Sequence, residues 1–208
     1  MTTGGEGGMV VTNNRDIWSK VWSYKDHGKN YNKVYSSNAL KPGPSFKWLH
    51  DSFGTNWRMT EMQAAIGRIQ LHKLSHWINK RRRNAEILTK AFLKIPALHV
   101  VVPPKHIFHA YYKYYIFIRP DMLKKSWDRE RIILAINKKR VPCFTGSCSE
   151  IYLEKAFDIG NLRPQKRLPI AEELGKTAMM FLVHPTLSKD AMQDMARVVE
   201  KIITAASK

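Results

Sequence analysis

Apolar residues recur at helical spacing in the middle and at the end of the chain. The pair Thr60 and Gln63 forms a capping-box pattern, which is typical of a helix start. The helix that follows has one apolar face, made by Met62, Ala65, Ile66 and Ile69. Helical spacing resumes over residues 77–92 until Pro96 ends it, and it returns in a last helix from about Lys189. Each apolar face predicts a neighbouring surface against which it packs.

Short apolar runs between these helices predict β-strands. They cover residues 9–12, 100–102, 111–118, 141–144 and 178–183. The segments between them predict further helices over residues 16–24, 128–139 and 169–174. Residues 29–52 have no hydrophobic period and predict a long loop. Its turn-forming residues are Asn30, Asn32, Asn38, Pro42, Gly43 and Pro44.

The alternation of strands and helices predicts an α/β chain with two domains. Residues 1–74 are expected to form part of one α/β domain. Residues 75–208 are expected to hold a linking helix and a smaller α+β domain. We find no internal repeat and no low-complexity segment that would favour another organisation.

Composition is that of a globular protein. The chain has 208 residues, of which 44% are hydrophobic and 11% aromatic, enough for a packed core. The longest apolar runs, such as residues 178–183, fall far short of the roughly 20 residues that a bilayer span needs. The N-terminus has neither the basic nor the apolar region of a secretory signal. We therefore expect a cytoplasmic protein that does not cross a membrane.

Two cysteines, Cys143 and Cys148, carry little chemical signal. They lack the nearby histidines or further cysteines that would complete a zinc site, and a cytosolic disulfide would be reduced. We expect no metal site and a structural or incidental role for both. The alternative is that the loop over residues 143–148 lines a pocket.

The net charge of +18, from 35 lysines and arginines against 17 acidic residues, is a rival signal. The basic clusters are Lys80-Arg81-Arg82-Arg83, Lys124-Lys125 and Lys138-Lys139-Arg140. Such a field attracts nucleic acid, anionic lipid or phosphorylated ligands, and it also suits a chain that faces an acidic neighbour. Since no nucleic-acid-binding motif accompanies the charge, we regard nucleic acid as an unlikely partner.

Two motifs carry more specific information. One is the turn Thr2-Thr3-Gly4-Gly5-Glu6-Gly7-Gly8 before the apolar run 9–12, and the other is the block that starts Gly54-Thr55-Asn56-Trp57-Arg58-Met59 and runs to Gly67. Together they resemble the DegT/DnrJ/StrS family of pyridoxal-phosphate (PLP) sugar aminotransferases, apart from one additional glycine in the turn. The resemblance implies an aspartate-aminotransferase-like chain (PLP fold type I), with residues 1–74 as a remnant of the large PLP-binding domain.

Asn56 and Arg58 lie just before a predicted helix N-terminus, where an amide and a guanidinium can converge on an anion. Without the resemblance they would be interpreted as a turn residue and a surface cation. The resemblance implies that Asn56 reaches the PLP phosphate of the partner subunit and that Arg58 meets the carboxylate of the substrate or amino donor. It also implies a weaker substrate contact for His109. Without the resemblance, an isolated histidine beside an aromatic strand would be interpreted as a structural residue.

The resemblance places the PLP-binding lysine just before the glycine turn, where this sequence has only Met1. Lys20 and Lys25 lie on or at the end of an ordinary helix, and nothing in their spacing makes either a replacement. We therefore expect no catalytic residue in this chain, which would be the C-terminal portion of the enzyme and inactive alone. Its partner would be a second copy or an N-terminal half that carries the lysine.

The implied reaction moves an amino group, commonly from glutamate, onto a keto sugar attached to a nucleotide, for polysaccharide or antibiotic sugars. A shortened sheet should leave apolar residues near 9–11 and 62–69 uncovered. Two alternatives remain open. The chain could be a non-catalytic subunit that binds a sugar nucleotide, or a basic nucleic-acid-binding protein.

Overall fold

The computed structural model describes residues 4–35 and 48–208. These divide into two compact units, one ending at Leu74 and one running from Ser75 to Lys208. The Thr2-Thr3 pair and the loop residues Asn38, Pro42, Gly43 and Pro44 lie outside the described residues. Among the residues described, no helix has the length and apolar character needed to cross a membrane.

The first unit is mainly helical. Helix α1 (Arg15–Lys25) begins where the side chain of Asn14 accepts hydrogen bonds from the backbone of Asp16 and Ile17, which confirms the helix predicted over residues 16–24. A short helix α2 (Tyr31–Tyr35) follows, capped in the same way by Asn30. The prediction of an uninterrupted loop from residue 29 was therefore wrong, because an asparagine that favours turns also caps helices.

The predicted strand over residues 9–12 was also wrong. These residues follow the glycine turn without strand pairing to any described residue, and Met9 and Val11 are 88% and 85% exposed. An apolar run becomes a strand only when a neighbouring strand accepts and donates its backbone hydrogen bonds. The expectation of uncovered apolar residues near 9–11 and 62–69 is confirmed, since Met62, Ile66 and Ile69 are exposed as well.

Helix α3 (Glu61–Phe92) starts at the predicted capping box. The amide of Gln63 donates to Thr60 Oγ1 at 3.3 Å, and the amide of Thr60 donates to Gln63 Oε1 at 3.0 Å. Two separate helices were predicted here, whereas the structure has one helix of 32 residues. Residues 70–76 are polar enough to interrupt the apolar pattern, but they include neither glycine nor proline and so do not end the helix.

The second unit contains a four-stranded antiparallel sheet. Its strands are β1 (Leu98–Val100), β2 (Tyr114–Ile118), β3 (Cys143–Phe144) and β4 (Ala178–Phe181). Their order in the sheet is β1-β2-β4-β3. The helices of this unit, besides the end of α3, are α4 (Arg129–Lys138), α5 (Pro169–Thr177) and α6 (Lys189–Ala206). The four strands predicted for this unit are present. Those predicted over residues 111–118, 141–144 and 178–183 are shorter than their apolar runs, and the one predicted over 100–102 begins two residues earlier.

The core of the second unit lies where α3, α4 and α6 meet the sheet. Phe92 of α3 packs against Tyr114 and Phe181 on the two central strands, with ring centroids 6.2 and 5.8 Å apart. All three are fully buried, together with Leu88, Ile116, Ile132, Ile136, Met179, Met192, Val199 and Ile203. Burial raises the pKa of Tyr114 to about 12, and its hydroxyl is within 2.8 Å of Thr89 Oγ1. This core holds the C-terminal part of α3 against strands β1 and β2.

Candidate functional site

Asn56 and Arg58 are held together in the first unit by backbone pairing with the end of α1. The amide of Thr55 donates to the carbonyl of Tyr24 at 2.7 Å, and that of Trp57 donates to the carbonyl of Lys25 at 2.9 Å. Between these bonds, Asn56 forms an isolated antiparallel bridge with Asp26. Arg58 Nε donates to Asn56 Oδ1 at 3.0 Å. The two predicted site residues are therefore neighbours with a fixed mutual orientation.

Two glycines allow this close backbone approach. Gly28 has a φ of +83°, and a Cβ added there would lie 1.8 Å from the carbonyl oxygen of Ser52. A Cβ on Gly54 would lie 2.4 Å from the amide nitrogen of Gly28. Neither position can carry a side chain without moving the backbone that positions Asn56.

Asp26 completes the cluster and was missed by the sequence analysis. Its Oδ1 is 3.2 Å from Lys29 Nζ and 3.6 Å from Arg58 Nε, and the residue is 8% exposed. Burial alone would raise the pKa of Asp26, but the hydrogen bond from Lys29 and the charges of Lys29, Arg58 and Lys25 together lower it. An ionised Asp26 therefore orients the guanidinium of Arg58, whose side chain is about half exposed.

The glycine turn and the Asn56–Arg58 segment line the same cavity of about 860 Å³. Gln63 links the two, since its Nε2 donates to the carbonyl of Glu6 at 2.9 Å. Aromatic walls come from Trp18, Trp22 and Trp57. Motifs that are far apart in the sequence thus meet at one site, which offers hydrogen-bond donors beside aromatic surface.

These residues fit the phosphate of PLP. Asn56 Oδ1 accepts from Arg58. The other side-chain atom, the donor Nδ2, has no acceptor among the described residues, so it is available to an anion. Arg58 keeps donor groups for a second anion. Lys25 also lines the cavity, and its Nζ lies 5.2 Å above the ring of Trp22. That cation–π contact gives the Lys25 ammonium a partner at the cavity wall.

His109 lies in the second unit and is not part of this cluster. It lines a different cavity of about 670 Å³, formed by α3 and residues 102–111. Its Nδ1 accepts from the amide of Tyr111 at 3.1 Å, and its carbonyl accepts from Arg82 Nη1 at 2.9 Å. Its ring meets that of Tyr111 edge-on, with centroids 4.3 Å apart.

The two cysteines differ in environment. Cys143 is buried on β3, and burial raises the pKa of its thiol to about 12. Cys148 is exposed and borders a cavity of about 380 Å³ with Ser147 and Ser149. This agrees with the alternative interpretation, in which the loop over residues 143–148 lines a pocket. Residues 4–35 and 48–208 contain no group of three or more histidine, cysteine or acidic side chains placed to hold a metal ion.

Comparison with known sequences gives consistent matches. The model of the DegT/DnrJ/EryC1/StrS aminotransferase family matches residues 1–202. GDP-perosamine synthase of Escherichia coli O157:H7 is 28% identical over 188 residues, covering 90% of this chain and 45% of that protein. A dTDP-3-amino-3,4,6-trideoxy-alpha-D-glucose transaminase of Streptomyces venezuelae is 25% identical over 210 residues, covering 95% of this chain and 48% of that protein.

Solved structures show the same relation. An aminotransferase from Psychrobacter cryohalolentis superposes with a TM-score of 0.91 and 50% identity, over 99% of this chain and 53% of that one. Helicobacter pylori PseC, an aminotransferase involved in the biosynthesis of pseudoaminic acid, superposes with a TM-score of 0.76 and 21% identity. The match covers 93% of this chain and 48% of that one. The chain thus spans about half the length of the relatives it matches. The expected fold, part of an aspartate-aminotransferase-like fold type I chain, is confirmed.

Proposed function

Because the chain belongs to the DegT/DnrJ/EryC1/StrS aminotransferase family, we propose that it is the C-terminal portion of a PLP-dependent aminotransferase acting on a nucleotide-linked keto sugar in the cytoplasm. The observation that carries the proposal is the cavity of the first unit, where the glycine turn, Asn56 and Arg58 meet. The relatives named as a perosamine synthase and an amino-sugar transaminase support the substrate class. Residues 1–74 are then the remnant of the large domain.

Asn56 and Arg58 have roles that their contacts support, whereas the role of His109 rests on the family resemblance. Asn56 donates from Nδ2 to the PLP phosphate, with its amide plane held by the bond from Arg58 Nε to Oδ1. Arg58, oriented by Asp26, uses its remaining N–H groups for the carboxylate of the substrate or of the amino donor glutamate. His109 makes a weaker contact with substrate. PLP supplies the electron sink for amino transfer when it is bound.

The lysine that attaches PLP is supplied by residues outside this sequence, in an N-terminal half or in a second copy of the complete enzyme. Lys25 lines the candidate site, and we assign its Nζ to the contact with the ring of Trp22. The site is therefore shared, as in a dimer, and the chain alone binds PLP without transaminating. A non-catalytic subunit that binds a sugar nucleotide is the second candidate, favoured by the same lack of a suitable lysine among the described residues.

The test is a PLP titration of the purified chain followed by borohydride reduction and peptide mapping. We expect saturable, non-covalent binding and no labelled lysine. Asn56→Ala should weaken binding about ten- to hundredfold, since a hydrogen bond to a charged group is worth about 1.5–3 kcal/mol. The exposed Asn32 of α2 provides a matched control, and Asn32→Ala should bind like the wild type. A specific label on Lys25 would overturn the assignment of the lysine to residues outside this chain.

A further inference from the structure

Arg81 is a buried arginine without a counter-ion. It lies on the part of α3 that belongs to the second unit, and it is 4% exposed. It takes part in none of the ion pairs among the described residues, although a buried charge is costly unless an opposite charge compensates it. Burial lowers the pKa of Arg81, but a guanidinium remains protonated at neutral pH. The second unit therefore holds a positive charge that an anion would compensate.

The guanidinium of Arg81 uses only one of its three nitrogens within the described part of the chain. Nη1 donates to the carbonyl of Tyr112 at 3.0 Å and to that of Tyr111 at 3.4 Å. Nε is buried and has no hydrogen-bond partner, and Nη2 donates to no described residue. Nε and Nη2 are the two parallel donors with which an arginine binds both oxygens of a carboxylate from the side. This pair of donors is the one that remains unused.

The residues around Arg81 fix its orientation and add no second charge. The carbonyls of Tyr111 and Tyr112 hold Nη1, and the next turn of α3 is tied to residue 184 by Asn84, whose Nδ2 donates to the His184 carbonyl at 3.0 Å. Burial and the positive charge of Arg81 lower the pKa of His184, so its imidazole is neutral at pH 7. An anion that binds Arg81 therefore has one positive charge to neutralise, which favours a monoanion.

We propose that Arg81 binds a carboxylate through Nε and Nη2. A carboxylate is planar, carries a single negative charge and offers one oxygen to each of these donors. A phosphate dianion would leave one negative charge uncompensated beside a buried guanidinium, and chloride would offer one acceptor to two donors. The site lies in the second unit and uses neither Asn56, Arg58 nor the imidazole of His109, so it is independent of the proposed aminotransferase function.

The experiment is an NMR titration of the ¹⁵N-labelled full chain with acetate, at constant ionic strength adjusted with chloride. We expect a saturable downfield shift of the Arg81 Hε signal, whereas Hε of the exposed Arg119 should not saturate. Arg81→Lys keeps the positive charge but lacks the two parallel donors, so acetate binding should weaken about ten- to hundredfold when it is followed at the amides of Tyr111 and Tyr112. Arg119→Lys is the matched control, and its affinity should equal that of the wild type.

Three results would overturn the proposal: an Arg81 Hε signal that does not move, shifts that chloride alone reproduces, or equal affinity in the two lysine variants. If Arg81→Lys does not fold, the comparison of the Arg81 and Arg119 Hε signals in the wild type decides the question. A second titration with succinate distinguishes the source of the carboxylate. Binding at least about tenfold tighter than that of acetate assigns the site to a small dicarboxylate. Equal binding assigns it to a single carboxylate, as an acidic side chain of another protein would present.

Discussion

At the scale of single residues, the motif identified Asn56 and Arg58, and the structure shows them hydrogen-bonded to each other. Asp26 could not be identified in the same way. In the sequence it is an ordinary acidic residue at the end of α1, and only the backbone pairing between residues 24–27 and 55–57 brings it to Arg58. The partners of such a residue come from distant segments of the chain, so the neighbouring sequence contains no pattern that would identify it.

Asp26→Asn should destabilise the first unit. The substitution removes the charge that pairs with Lys29 and Arg58, and we expect a loss of about 1 kcal/mol or more at neutral pH. Asp194→Asn is the control, because Asp194 forms an exposed pair with Arg197 on α6 and should cost less than about 0.5 kcal/mol. Chemical denaturation followed by tryptophan fluorescence measures both, since Trp18, Trp22 and Trp57 lie in the first unit and Trp127 lies in the second.

The same substitution predicts a pH dependence. The pKa of Asp26 is lowered from its usual value of 3.8, so its stabilising contribution is complete above that value and is lost as the pH falls through the folded-state pKa. The stability difference between wild type and Asp26→Asn should therefore be constant from neutral pH to about 5 and shrink below 3.8. A difference that grows towards acid pH would contradict this assignment of charge.

At the scale of helices and strands, local signals with a mechanism predicted the structure well. The Thr60–Gln63 box and the Pro169 start begin helices where expected. The helix predicted over residues 16–24 is present as well, and the structure adds the Asn14 cap that begins it. Predictions from apolar runs alone were less reliable. Residues 9–12 form no strand, because strand formation depends on a neighbour that local sequence does not reveal. Helix α3 was predicted as two helices because the polar residues 70–76 interrupt the apolar pattern. The helix continues through them, since they include neither glycine nor proline.

The turn between α1 and α2 should be far more sensitive to substitution than the N-terminal part of α3. Gly28→Ala introduces a Cβ at positive φ and in collision with the Ser52 carbonyl, which should cost about 2 kcal/mol or more. Gly67→Ala is the matched control on α3, where an added Cβ meets nothing within 4 Å. It should stabilise the helix by about 0.5–1 kcal/mol. Equal destabilisation by both changes would refute the role given to the turn.

At the scale of the whole molecule, the relation to longer relatives and the exposed apolar surface of the first unit belong together. Helix α1 has no buried residue, although Ile17, Trp18 and Val21 form an apolar stripe on it. Met62 and Ile66 at the start of α3 are 76% and 47% exposed. The second unit, by contrast, has a closed core around Phe92 and Phe181. This contrast is consistent with a first unit that is completed by further protein.

The exposed apolar residues at the start of α3 are the surface that we expect an N-terminal half to cover. The part of the Psychrobacter cryohalolentis aminotransferase that this chain does not match is the natural probe, because the matched part is 50% identical. We expect the two pieces to form a complex in sedimentation experiments and to gain PLP-dependent amino transfer that neither piece has alone. Ile66→Gln should weaken the complex about ten- to hundredfold, because burying an isoleucine is worth about 1.5–3 kcal/mol.

Leu134→Gln on α4 is the matched control for that experiment. Leu134 is 62% exposed and lies in the second unit, so the substitution removes a similar apolar side chain from a surface that the proposal leaves free. Its complex should be as tight as that of the wild type. If Ile66→Gln and Leu134→Gln weaken association equally, the effect is general hydrophobicity. If neither does and no complex forms, completion by an N-terminal half is wrong, and the non-catalytic subunit becomes the better description of this chain.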